Sequence, residues 1–335
     1  MGVCAVEWLY AAFLGKPAWV WLSFTVIVVI LLALDLGVFH RKQRVIEARE
    51  SLIMSAFYIA LALLFSVWIF YAFGSEKGEQ YLTGYLVEKT LSLDNIFVIS
   101  LIFSYFAIPP QYQHRVLFYG ILGVIILRGI MIALGATLVA QFSWILYIFA
   151  IFLIITGIKM LIASESPPDV ASNPVLRMMR KLFRITPTLH GQRFFVRQPE
   201  TPGGKSVFWV TPVFVALILI EIADLIFAVD SIPAIFTITN DPYIVFTSNI
   251  FAILGLRSLY FALAAVLHHF KYLKQSLALV LIFIGSKAFI ADALGLEKFP
   301  ASISLGVTIA LIAGGIVYSM LKRETSPEIR SATNL

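Results

Sequence analysis

Nine runs of mostly apolar residues divide this chain, and each has about the length an α-helix needs to cross hydrocarbon. They cover 17–39, 51–73, 82–106, 116–140, 142–163, 208–238, 243–267, 276–296 and 302–321. A soluble fold has one interior to fill, and 335 residues that are 60% hydrophobic and 13% charged, with a mean hydropathy of +0.92, exceed that need. The expected fold class is an all-α polytopic membrane protein of about nine transmembrane helices. Residues 1–321 form its single transmembrane domain.

Between the runs lie the basic residues, and their distribution predicts orientation. Of 25 lysines and arginines, 17 fall in the first, third, fifth and seventh connections and the tail. With nine spans and an external N-terminus, all of these face the cytoplasm, as the positive-inside rule requires. The formal charge of +6 thus serves orientation, and nucleic acid is not an expected partner. The fifth connection, 164–206, reads as a basic cytoplasmic loop, and 322–335 as a cytoplasmic tail. Within the loop, Val175–Arg184 alternates apolar and basic positions at helical spacing, which predicts a short helix on the inner leaflet. Thr201–Gly204 reads as a turn before the sixth span.

Seven carboxylates lie inside the apolar runs: Asp35, Glu88, Asp94, Glu221, Asp224, Asp230 and Asp292. Hydrocarbon tolerates them only against a partner charge, a bound ion, water or protein, so each marks a candidate transport path. The basic residues inside the runs, Arg128, Lys159, Arg257 and Lys287 with Lys89, are fewer. The surplus of negative charge calls for a cation or protons. Arg128 and Arg257, with Lys159 and Lys287, are expected to organise the acids.

The two halves carry matching motifs. Asp94-Asn95-Ile96 aligns with Asp230-Ser231-Ile232, and six residues upstream stand Glu88 and Asp224. Arg128 aligns with Arg257, and Gly157-Ile-Lys159 with Gly285-Ser-Lys287. The pattern predicts a repeat of three helices, 82–163 and 208–296. An odd number of spans inverts the second unit relative to the first, as in many secondary transporters. The spans 17–39, 51–73 and 302–321 stand outside it.

Asp94 and Asp230 are the expected centre of the site, joined by Asn95 and Ser231, with Glu88, Glu221 and Asp224 flanking. Six residues turn a helix about 120° off its starting face, so local unwinding near Asp94 and at Pro233 is expected to gather these groups. Asp35 and Asp292 are candidates for supporting or proton-path roles. An all-oxygen site with two or more acids suits a hard divalent ion such as Mn²⁺, Mg²⁺ or Ca²⁺. Protons compete for such carboxylates, which offers metal/proton exchange. The single cysteine, Cys4, excludes an internal disulfide and a cysteine metal cluster within one chain. No recognisable nucleophile or cofactor motif is present, so neither an enzyme nor a permanently bound cofactor is expected. The start of the chain lacks the pattern of a removable signal peptide.

The stretches Glu88-Lys-Thr-Leu-Ser-Leu-Asp94-Asn95-Ile-Phe-Val98 and Glu221-Ile-Ala-Asp224-Leu-Ile-Phe-Ala-Val-Asp230-Ser231-Ile-Pro233-Ala234 resemble the TerC family, nearest its Alx-like branch. Tyr81–Glu88, Asp241–Arg257 and Phe194–Arg197 add to the likeness, which covers nearly the whole chain. The resemblance implies a multi-pass protein of the bacterial inner membrane linked to manganese efflux, tellurium resistance and the response to alkaline pH. It also implies that Asp94, Asn95, Asp230 and Ser231 form the core of the site, with Glu88, Glu221 and Asp224 accompanying them. Mn²⁺ is then the expected cargo ahead of Ca²⁺ or Mg²⁺. A non-transporting membrane scaffold, assisting insertion or metallation of exported proteins through the 164–206 loop, is the alternative.

Overall fold

The computed structural model describes residues 9–37, 48–142, 144–162, 170, 173–199, 206–263, 273–296 and 299–321. The side chains of Asp35 and Asp94 lie outside that description, as do Thr201–Gly204 and the 322–335 tail. A two-stranded turn, β1 (Ala12–Phe13) with β2 (Lys16–Pro17), precedes helix α1 (Ala18–Gly37). There follow α2 (Ala48–Phe73), α3 (Ser75–Tyr105), α4 (Pro110–Gln141) and α5 (Ile145–Ile162). The short helix α6 (Pro174–Leu182) and the antiparallel hairpin β3 (Phe195–Pro199) with β4 (Ser206–Val210) come next. The chain then re-enters the bundle as α7 (Pro212–Ile238), α8 (Pro242–Leu254), α9 (Leu256–Leu263), α10 (Leu273–Ala293) and α11 (Ala301–Leu321).

The protein is an all-α polytopic membrane protein, and seven helices among the described residues are long and apolar enough to cross a bilayer. The α8–α9 pair counts as one of them. Two further helices fall outside that measure for different reasons. The apolar stretch of α1 is shorter, at Ala18–Leu34, whereas α3 is long but carries Glu76, Lys77, Glu79, Glu88, Lys89 and Asp94. Starts are set by local chemistry. Proline opens α4, α6, α7 and α8, where its missing N–H is no loss, and the Asp241 carboxylate accepts the Tyr243 N–H at 3.1 Å to cap α8. Positions on α4 such as Ile126, Ile130 and Leu134 are exposed and apolar, as a lipid-facing surface requires.

Packing sets the interior. Helix α3 lies against α8, and α7 lies against α4, while α5 and α10 pair along their length. Residues Phe103, Leu117, Val213, Leu256 and Tyr260 form one apolar cluster at the end of the bundle nearest the hairpin. Tyr58, Tyr81, Tyr243 and Phe251 form another toward the opposite end.

Two expectations are corrected here. The unwinding expected near Asp94 and at Pro233 does not occur, because α3 and α7 run unbroken through both clusters. Thr237 Oγ1 donates to the Pro233 carbonyl at 2.9 Å, and the helix continues past the proline for another turn. The break falls instead at Gly255, between α8 and α9, where Lys89 Nζ donates to the Ala252 carbonyl at 3.0 Å. A lysine thus supplies a donor to a carbonyl in the last turn of α8. The second correction concerns α6. Two of its apolar residues, Leu176 and Met179, are buried with Phe103 and Val213 and meet protein rather than the leaflet, while Met178 and Leu182 are exposed. Arg177, Arg180 and Lys181 remain exposed.

Candidate functional site

Continuous helices decide which polar groups can meet. Seven residues make nearly two full turns, so Glu88 and Asn95 share one face of α3, and Asp224 and Ser231 share one face of α7. These faces converge on Arg128, which α4 delivers to mid-bundle at 1% exposure. Arg128 Nε and Nη2 donate to Asp224 Oδ2 and Oδ1 at 3.1 and 3.0 Å, the two-pronged geometry that a guanidinium makes with a carboxylate. Its Nη1 donates to Glu88 Oε1 and to Asn249 Oδ1, the latter at 2.6 Å. Ser231 Oγ stands 3.4 Å from the same nitrogen and is its weakest partner. Asn95 Nδ2 then donates to Asp224 Oδ1 at 2.8 Å, tying α3 to α7.

One positive charge therefore faces two acids, and a third is adjacent. Glu221 sits one turn before Asp224 on α7, where its carboxylate fits against Gly123 of α4; a methyl carbon there would overlap it. Three buried oxygens in this region have no donor among the described residues: Glu88 Oε2, Asn95 Oδ1 and Glu221 Oε2. Buried acceptors without donors are rare because each forfeits its hydration, so these oxygens have capacity for a water, a proton or a cation. Beside them is a cavity of about 20 Å³ lined by Asn95, Gly120, Val124, Ala223, Asp224 and Arg257, which has room for about one water. Among the described residues, no three histidine, cysteine, aspartate or glutamate side chains are grouped closely enough to hold a metal ion.

The remaining candidates lie elsewhere. Asp230, six residues beyond Asp224, is turned to another face of α7, where Thr156 Oγ1 of α5 approaches its Oδ1 at 3.4 Å. Arg257 is buried at the start of α9, with Nη1 2.9 Å from His114 Nε2. Lys159 is exposed on α5. Asp292 is exposed and accepts the Tyr147 hydroxyl at 2.8 Å. Lys287 is buried, and among the described residues nothing offers it a hydrogen bond or an ion pair. It lines a cavity of about 620 Å³ with Glu76, Lys77, Thr83, Asp241 and Asp292, at the end of the bundle away from the hairpin.

Asn249 was not singled out from the sequence, although it is fully buried and among the shortest of Arg128's contacts. The signal was present: Thr247-Ser248-Asn249 is a polar triplet in the span with the largest buried share, 83%.

Residues 73–326 match the Integral membrane protein TerC family. An uncharacterized membrane protein of Rickettsia bellii is 50% identical over 303 residues, covering 90% of this chain and 97% of its own length. Another, from Myxococcus xanthus, is 46% identical over 93% of this chain and 95% of its own. The Alx protein of Photorhabdus laumondii, whose name provisionally makes it a membrane-bound redox modulator, is 45% identical over 89% of this chain and 93% of its own. No solved structure matches the chain.

Proposed function

This chain belongs to the TerC family, a multi-pass protein of the bacterial inner membrane with relatives in the Alx branch, and we propose that it exports divalent manganese from the cytoplasm. The observation that carries the reading is the set of buried oxygens around Arg128. Glu88 and Asp224 bring two acids to one arginine, Glu221 stands one turn before Asp224, and Glu88 Oε2, Asn95 Oδ1 and Glu221 Oε2 lack donors among the described residues. Such a set is starved of positive charge, and oxygen ligands favour a hard divalent cation. Proton entry is the proposed counter-flow, because the same carboxylates accept protons when the metal leaves.

Alternating access is supported by paired packing. Helix α3 meets α8 as α7 meets α4, and Glu88 with Asn95 reappears seven residues apart as Asp224 with Ser231. In this reading, nine spans put the hairpin end in the cytoplasm, where the basic loop satisfies the positive-inside rule. The 620 Å³ cavity then opens to the outside, and the cluster of Phe103, Leu117, Leu256 and Tyr260 closes the inner route. We read the protein as a transporter and not an enzyme. Redox modulation, the role named for the Photorhabdus relative, gains no support from an internal dithiol, since the chain holds one cysteine.

The scaffold alternative is favoured by one feature. Phe195 and Phe208 stack at 5.1 Å on the hairpin and are exposed, offering a contact surface outside the bundle. Purified protein in liposomes separates the readings. Wild type is expected to move Mn²⁺, and Glu88→Gln and Asp224→Asn to abolish that flux, as is Asp94→Asn with Asp230→Asn. Wild-type flux equal to that of empty liposomes would falsify the transporter reading.

A further inference from the structure

The arginine at the centre of the site makes an unusual number of contacts with groups that a transported cation also needs. Glu88 Oε1, both oxygens of Asp224, Asn249 Oδ1 and Ser231 Oγ all face the one guanidinium. These are the carboxylate, amide and hydroxyl oxygens that a hard divalent ion takes as ligands. A metal bound to Glu88 and Asp224 would sit against the guanidinium, with no water between them to screen two like charges. The neighbouring cavity, at about 20 Å³, has room for about one water and offers no second place for a coordinated ion while Arg128 stays where it is.

We propose that Arg128 is a tethered stand-in for the cargo: it holds Glu88 and Asp224 when the site is empty, and metal and guanidinium occupy those acids in turn. This rests on the reading that the site carries a divalent cation. Metal arriving at Glu88 Oε2 and Asn95 Oδ1, the oxygens that Arg128 does not use, displaces the guanidinium from Asp224 and completes its own shell there. When the metal leaves, Arg128 returns. The empty carrier then changes conformation without two bare carboxylates in the hydrocarbon, a state the bilayer opposes strongly. The same residue makes the site weaker for metal than its acids alone would be, which aids release. An arginine suits the task because its charge persists at any working pH and its fork matches a carboxylate.

The test uses the full chain in liposomes and reads Mn²⁺ binding, net Mn²⁺ flux into metal-free buffer, and exchange of Mn²⁺ for Mn²⁺. Arg128→Gln is expected to bind Mn²⁺ about tenfold more tightly, since its competitor is gone. Exchange should persist, because a loaded carrier needs no stand-in, while net flux should fall about tenfold or more, because the empty carrier cannot return. Arg128→Lys keeps a tethered charge and should retain more net flux than Arg128→Gln. A folded Arg128→Gln protein that binds Mn²⁺ no more tightly than wild type, or loses exchange and net flux together, overturns the proposal. Should Arg128→Gln fail to fold, Arg128→Lys carries the test. Its single ammonium cannot grip both Asp224 oxygens, so tighter Mn²⁺ binding supports the idea and unchanged or weaker binding overturns it. Wild type that moves no manganese sinks the transport reading itself, whereas wild-type flux with these variants binding no tighter sinks only the role of Arg128.

Discussion

Gly157 of α5 and Gly285 of α10 meet the opposite helix reciprocally. A methyl carbon on Gly157 would stand 2.7 Å from the Ala278 carbonyl oxygen, and one on Gly285 would stand 2.5 Å from the Ala150 carbonyl oxygen. The neighbours are main chain and cannot rotate away, so the two helices approach because both positions lack a side chain. Gly157→Ala and Gly285→Ala are each expected to lower stability by about 1–3 kcal/mol through overpacking. Gly306, inside α11 with nothing near its missing methyl, is the control: Gly306→Ala should not lower the unfolding temperature in detergent and should raise it slightly through helix propensity.

A second glycine pair separates folding from the site. At Gly123 a methyl carbon would overlap the Glu221 carboxylate, but at Gly120 the nearest atom would be Leu217 Cδ1 at 3.8 Å, an ordinary contact. Glu221 ends in a flexible side chain and can move aside. Gly123→Ala is therefore expected to fold normally, shift Glu221 and reduce Mn²⁺ flux severalfold, while Gly120→Ala keeps wild-type flux. Equal flux for the two variants would separate Glu221 from the transport path.

Asn249 supplies a neutral acceptor to a buried cation at 2.6 Å. Asn249→Leu preserves volume but leaves that Nη1 short of a partner. Hydrogen bonds to charged groups contribute about 1.5–3 kcal/mol, and a loss of that order in the unfolding free energy is expected. Flux should fall as well, because Arg128 would no longer be held between α3, α7 and α8. A stability within experimental error of wild type would mean that another group satisfies Arg128.

Lys287 presents the opposite case, a buried lysine with no ion pair among the described residues, on the wall of the 620 Å³ cavity. Removing an unpaired buried charge relieves its desolvation cost. Lys287→Met is expected to raise the unfolding temperature by several degrees. If the midpoint falls instead, the ammonium is compensated by water or by a bound anion in the cavity, and binding of inorganic phosphate would then distinguish the two.

The membrane class, seven of the long apolar helices and the residues worth asking about were legible in the sequence, because hydrocarbon imposes its terms one segment at a time. A run of about twenty apolar residues is long enough to cross whatever its neighbours do, and an acid within it needs a partner in any fold. Glu88, Asp224 and Arg128 could be picked out on that ground alone. Which acids meet was not decided there. Unwound helices would have let residues six apart converge; unbroken ones bring residues seven apart to a common face, and so Glu88 shares a face with Asn95 and Asp224 with Ser231, Asn95 bonds Asp224 across the helices, and Asp230 turns toward Thr156. The partnership of Arg128 with Asn249, 121 residues along the chain, and the helix break capped by Lys89 depend on how α3, α4, α7 and α8 pack together. Those contacts join segments far apart in sequence, and no local pattern encodes a contact whose other half arrives only when the helices assemble.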